Sequence, residues 1–203
     1  MADMSAALQC SPGDIAKLQE ARELYVQPCR VFVSFDIEAY ERHQHLLTEI
    51  GWSVFDTRLT TLENTHYIIQ ENSHLRNGRY VPDNRHRFDF GTSQYASLAQ
   101  ALDEFRALLA RYPRAVLVGH GVASDFKYLR RQNFHFRDDF MTVDTQQLYR
   151  AFANVRNGTG LAKVLTALSI RHGNLHNAGN DARYTLQAML AMVTRPWVPP
   201  TLS

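Results

Sequence analysis

Apolar and polar residues fall into blocks along this chain, and the spacing within the blocks changes. Residues 31–37, VFVSFDI, are dense in β-branched and aromatic side chains, as in a central strand covered on both faces. Residues 50–59, IGWSVFDTRL, and 65–71, THYIIQE, predict a second and a third strand. An Asn-Gly pair at Asn77 and Gly78 favours a tight turn, so the region up to Phe90 is expected as an antiparallel meander with an irregular middle. From Ser97 to Arg111 the period becomes helical, with Leu98, Leu102, Phe105, Leu108 and Leu109 forming the apolar side and Ser93 as a cap near the start. Residues 115–119, AVLVG, predict another buried strand, 122–132 a helix and 140–145 a last short strand. Residues 146–152, 161–170 and 179–193 predict helices. At the start, residues 9–26 predict an amphipathic helix capped by Asp14, or by Ser11 ahead of Pro12, and broken by Pro28.

This order predicts an α/β fold: a central mixed five-stranded sheet whose first three strands are antiparallel, with helices on both faces. Residues 1–29 are expected as an N-terminal helical arm, 30–195 as the main domain and 196–203 as a proline-bounded tail.

Composition narrows the classes. A length of 203 residues suits one domain, and 45% hydrophobic content with no low-complexity tract argues against disorder. No apolar run approaches the roughly 18 residues of a membrane span. The first residues lack a basic leader followed by an apolar core, so no secretory signal is expected. Cys10 and Cys29 are the only cysteines and are expected as reduced thiols. The expected location is cytoplasmic, nuclear or both. A net charge of +2 decides little, but the basic residues are arginine apart from Lys17, Lys127 and Lys163. Arginine's planar fork suits phosphate.

The candidate chemistry lies in four acids and a histidine on separate segments. Asp36 and Glu38 end the first strand and, two residues apart, point to the same side. Asp125 lies one turn into the helix that follows 115–119, and Asp181 opens the last helix after the turn-rich GNLHNAGN. Carboxylates from different elements suit hard divalent cations, and a pair of such ions about 3.5–4 Å apart serves phosphoryl transfer. His176, in a small-residue loop, offers an imidazole able to take a proton near neutral pH. Each residue alone also has a plain reading, as a solvated strand end, a helix-start acid or a surface histidine.

The ordered set resembles the DEDD superfamily of 3′–5′ exonucleases, which has a ribonuclease H-like fold. Asp36-x-Glu38 matches its first motif, Asp125 in GHGVASDFKYL the second, and His176 with Asp181 in HNAGNDA the third. One subtype carries a tyrosine four positions before the last aspartate; Asn177 stands there, which selects the histidine subtype. The resemblance implies two divalent cations, magnesium or manganese. It implies that Asp36 bridges both, that Glu38 and Asp181 hold the one that carries the nucleophilic water, that Asp125 serves the second and that His176 is the general base. The implied substrate is single-stranded or frayed nucleic acid, RNA ahead of DNA, entered from its 3′ end and released as 5′-mononucleotides. Where the family often has Gly-His-Asn, this chain has Gly119, His120 and Gly121, so an amide near the helix start is missing. His120 is expected to be structural.

The segment 66–91 resembles fungal nuclease-like proteins grouped with a factor linked to messenger-RNA export and, more distantly, exonuclease partners of fungal RNA silencing. Its Arg76, Arg79, Arg85 and Arg87, with Tyr80 and Phe88, are expected to contact phosphates and stack a base. Lys127, Arg130 and Arg131 are expected to flank the site. One competing reading is a nuclease-like nucleic-acid-binding or adaptor module; another is an oligomeric scaffold whose N-terminal arm, 1–29, docks on a second copy or a protein partner.

Overall fold

The computed structural model describes residues 8–199. Three strands, β1 (Val31–Ala39), β2 (Leu47–Asp56) and β3 (Leu62–Ile69), form an antiparallel ribbon. The chain then passes a 3₁₀ turn, Gln70–Asn72, and an irregular stretch before β4 (Gln94–Ala96). Helix α2 (Leu98–Arg111) leads to β5 (Val116–Gly119), α3 (Ala123–Arg131) and β6 (Met141–Asp144). Helices α4 (Thr145–Phe152), α5 (Leu161–Ala167) and α6 (Ala178–Thr194) complete the domain. The sheet order is β4-β3-β2-β1-β5-β6, with β4, β5 and β6 parallel to their neighbours.

Among the described residues the sheet therefore has six strands, not five. The added strand, β4, is three residues long with two of them exposed, so it carries no buried run that the sequence pattern could reveal. The antiparallel meander ends with β3 and does not continue to Phe90: 73–93 forms no strand. Helix α2 is capped by Ser97, whose hydroxyl accepts from the Gln100 N–H at 3.1 Å, and Ser93 has a different partner.

Alternation along β1 feeds two cores. Val31, Val33, Phe35 and Ile37 face the aromatic layer of Trp52, Phe105, Phe134 and Phe136. Phe32 faces the layer of α1 (Pro12–Val26), α4, α5 and α6. Every β2 residue is buried, which is how a strand covered on both faces behaves. On the second face α6 lies almost on the sheet. A Cβ on Gly51 would sit 2.3 Å from the backbone of Ala178 and Gly179, so only glycine at this position lets the helix start that carries Asp181 lie this near β2.

Helix α1 joins this second core through Leu18, Ala21 and Leu24. Ser11 and Asp14 form a reciprocal capping box at its start. Asp14 also pairs with Arg150 of α4 at 2.7 Å, and that guanidinium holds its carboxyl at about 2. Asp14→Ala should cost about 1–2 kcal/mol at pH 7 by losing cap and ion pair. A depressed acid contributes stability above its unfolded pKa, so urea titrations should show the difference shrinking as pH falls from about 4 toward 2.

Candidate metal centre

Asp36 and Glu38 emerge together at the end of β1, opposite Gly51 and Glu49 of β2. Asp125 lies in the first turn of α3, and its Oδ1 accepts the Ile37 N–H at 3.3 Å, tying that helix to β1 between the two acids. Asp181 lies in the first turn of α6, and its Oδ2 accepts the His176 N–H at 3.0 Å. His176 adopts φ 63°, a left-handed conformation uncommon for a residue with a Cβ. Its Nδ1 lies 3.8 Å from Glu38 Oε1, with the imidazole 43% exposed. One ligand atom each from Glu38, His176 and Asp181 falls within 4.8 Å of the others.

The electrostatics show what this convergence costs. Burial, then the charges of Asp125, Asp181, Glu38 and Glu49, raises the Asp36 carboxyl well above its ordinary range. Glu38 is raised by burial, then by Glu49, Asp181, Asp125 and Asp83. Burial pushes Asp125 and Asp181 up to about 7, against the hydrogen bonds they accept. His176 is lowered by burial, partly offset by the charge of Glu49, so its imidazole is neutral at pH 7. So many carboxylates cannot all ionise in one desolvated place without a counter-charge. The buried Asp181 Oδ1 has no hydrogen-bond partner. An all-oxygen carboxylate set with a free lone pair fits a hard divalent cation.

Two further residues belong to this region and were not anticipated. Glu49 is buried, accepts the Ala178 N–H at 3.2 Å and meets His66 Nε2 at 2.9 Å. The other ring nitrogen of His66 meets Ser93 Oγ at 2.8 Å. This chain fixes the start of α6 to the centre of the sheet. Glu49 lies in a strand buried along its whole length, where an acid is tolerated only when partnered.

Beside the cluster, His120 bridges Thr145 Oγ1 and the Thr159 carbonyl, both at 2.9 Å, as a structural residue does. Gly121 sits at φ 66°. The Asp144 carboxylate accepts the N–H groups of Gly121 and Val122, which orients the start of α3. Of the basic residues, Arg76, Arg79, Arg87, Lys127, Arg130 and Arg131 are exposed. Arg85 is not: it is 1% exposed, turned inward to donate to Asp83 Oδ1 at 2.8 Å and to the Ser73 carbonyl. Its guanidinium anchors its own loop and is closed to phosphate. Two concavities flank the acids. One, about 330 Å³, is lined by Glu38, Ala39, Tyr80, Val81 and Tyr128 among others. The other, about 470 Å³, is lined by Thr159, Lys163, Leu175, His176 and Asp181 among others.

A ribonuclease H-like sheet with carboxylates and a histidine gathered where its central strand β1 ends defines a metal-dependent nuclease of the exonuclease class. More narrowly, the chain belongs to the DEDDh family described as "DNA polymerase III subunit epsilon-like, C-terminal domain", which it matches over residues 31–192. It is 37% identical over 172 residues to an uncharacterized nucleolar protein of Schizosaccharomyces pombe, covering 81% of this chain and 69% of that protein. It is 30% identical over 214 residues to "Good for full DBP5 activity protein 2" of Saccharomyces cerevisiae, covering 87% of this chain but only 38% of that protein. Both relatives are fungal, in line with the group that residues 66–91 resemble. Product-bound exonuclease I superposes with a TM-score of 0.54 at 14% identity, covering 83% of this chain and 44% of that one; that likeness concerns the fold. Among the described residues no helix is long and apolar enough to cross a membrane.

Proposed function

We propose that this protein is a 3′–5′ exonuclease that hydrolyses phosphodiester bonds of single-stranded or frayed nucleic acid, RNA ahead of DNA, and releases 5′-mononucleotides. The observation that carries this reading is the set of mutually destabilised acids around Asp181, with an unpartnered oxygen and a neutral histidine beside it. Asp36, Glu38, Asp125 and Asp181 would hold two divalent cations, magnesium or manganese. When bound, these supply charge stabilisation and an activated water. His176 accepts the proton of the attacking water through its half-exposed imidazole. The concavity with Tyr80 and Tyr128 takes the 3′-terminal base, because phenol rings offer stacking faces to any base. The exposed Arg79, whose guanidinium lies over the Tyr80 ring, with Arg76 and Arg87 of the same stretch, and Lys127, Arg130 and Arg131 of α3, hold phosphates. The S. pombe relative's nucleolar description supports a nuclear location.

The test is an incubation of 5′-labelled RNA and DNA oligonucleotides with magnesium or manganese. Shortening from the 3′ end should appear with RNA and DNA, faster with RNA, and vanish with EDTA or in Asp36→Asn. No metal-dependent shortening of either polymer overturns the enzyme reading, and tight binding without cleavage would make this an adaptor.

A further inference from the structure

Long stretches without secondary structure inside a compact domain are commonly functional or disordered. The stretch after the 3₁₀ turn is fixed at both ends by side chains. At one end the Glu41 carboxylate accepts the backbone N–H groups of Gly78, Arg79 and Tyr80 at 3.0–3.3 Å. Asn77 accepts the Glu41 N–H at 2.9 Å and donates to the Ala39 carbonyl at 3.1 Å. These partners follow Glu38 directly. At the other end Asn84 Nδ2 donates to the Leu175 carbonyl at 2.7 Å. Asn177 donates to the carbonyls of Asn84 and Arg85, and Asn180 to that of Arg87. The buried Arg85–Asp83 pair stiffens the span between. This strap therefore joins the strand end that carries Asp36 and Glu38 to the loop that carries His176.

We propose that the strap is a positioning element. It holds the His176 loop in working geometry before substrate arrives, and Asn84 is the residue through which it acts on His176. The left-handed backbone of His176 and its half-exposed ring need an external restraint. The Asn84 bond falls on the carbonyl of the residue immediately before it. The entropy of ordering this loop is then lost on folding and not again at each turnover. The inference rests on the reading of His176 as proton acceptor.

Asn84→Ala removes the bond to Leu175 but keeps the backbone carbonyl that receives Asn177. It should lower kcat about 10-fold or more, since small misplacements of a reacting group cost up to about 100-fold. KM should change less than about 2-fold, and amide exchange at 174–177 should quicken. In the His176→Ala background the same substitution should cost nothing further in kcat, because both act through one group. An equal loss in both backgrounds, an effect confined to KM, or unchanged exchange overturns the proposal. If the wild type proves inactive, the proton-transfer reading falls on its own and exchange alone decides whether the strap holds the loop.

Discussion

His176→Ala is expected to lower kcat by about 10²–10⁴-fold, the usual contribution of a positioned general base. The direction of its pH dependence follows from its surroundings. Burial lowers the imidazole pKa and Glu49 partly restores it, so the neutral, proton-accepting form dominates above a pH lower than the ordinary histidine range. The wild-type rate should therefore rise with pH through that pKa, and this limb should disappear in His176→Ala. A second measurement separates base from ligand, since His176, Glu38 and Asp181 also form a ligand-sized cluster. With His176 as base, calorimetric manganese affinity in the variant stays within about 3-fold of wild type, because removing a ligand or its support typically costs 10–100-fold. A large fall in affinity with no change in the pH profile would reassign the residue as a ligand.

Much of this site was legible in the chain because each part sits where an element begins or ends. The β-branched run before Asp36 marks a central strand, and period two then sets Glu38 on the same side. The helical periods after 115–119 and after Asn177 place Asp125 and Asp181 in first turns. What could not be read depends on which strands pair. Glu49 matters because register sets it opposite Glu38, and a one-residue slip would have sent it to the other face. Arg85 sits among basic neighbours that face solvent, and only the position of Asp83 and Ser73 turns it inward. Residues 73–93 take their shape from Glu41, Asn177 and Asn180, all distant in sequence, so no local period announces it. Those same distant contacts explain why a meander was expected and an ordered strap is found.

The acids should make the metal-free protein less stable as pH rises, and Asp181→Asn should remove part of that penalty. Asp125 and Asp181 are each pushed up to about 7, well above the roughly 3.9 of an unfolded aspartate. The folded state then keeps protons that the unfolded chain has released. A raised carboxyl contributes its stability in full below the unfolded pKa, and that stability is lost as pH climbs from about 4 through about 7. The penalty above that range is on the order of 4 kcal/mol for one such buried group, and the coupled acids share it rather than each adding the full amount. At pH 8 in EDTA, Asp181→Asn should therefore melt higher than wild type by several degrees, since about 1 kcal/mol shifts a domain of this size by roughly 2–4 °C. The asparagine oxygen can still accept the His176 N–H that Asp181 receives now, so the substitution removes charge more than structure. Magnesium or manganese should reverse the order, raising the wild type by mass action and the variant much less. Melting curves at pH 5 and pH 8, with EDTA or metal, check all four corners. Equal pH dependence in both proteins would show that Asp181 bears no burden from its neighbours. A variant stabilised without metal yet inactive with it would show that the domain carries this strain in its fold because the reaction needs the charge.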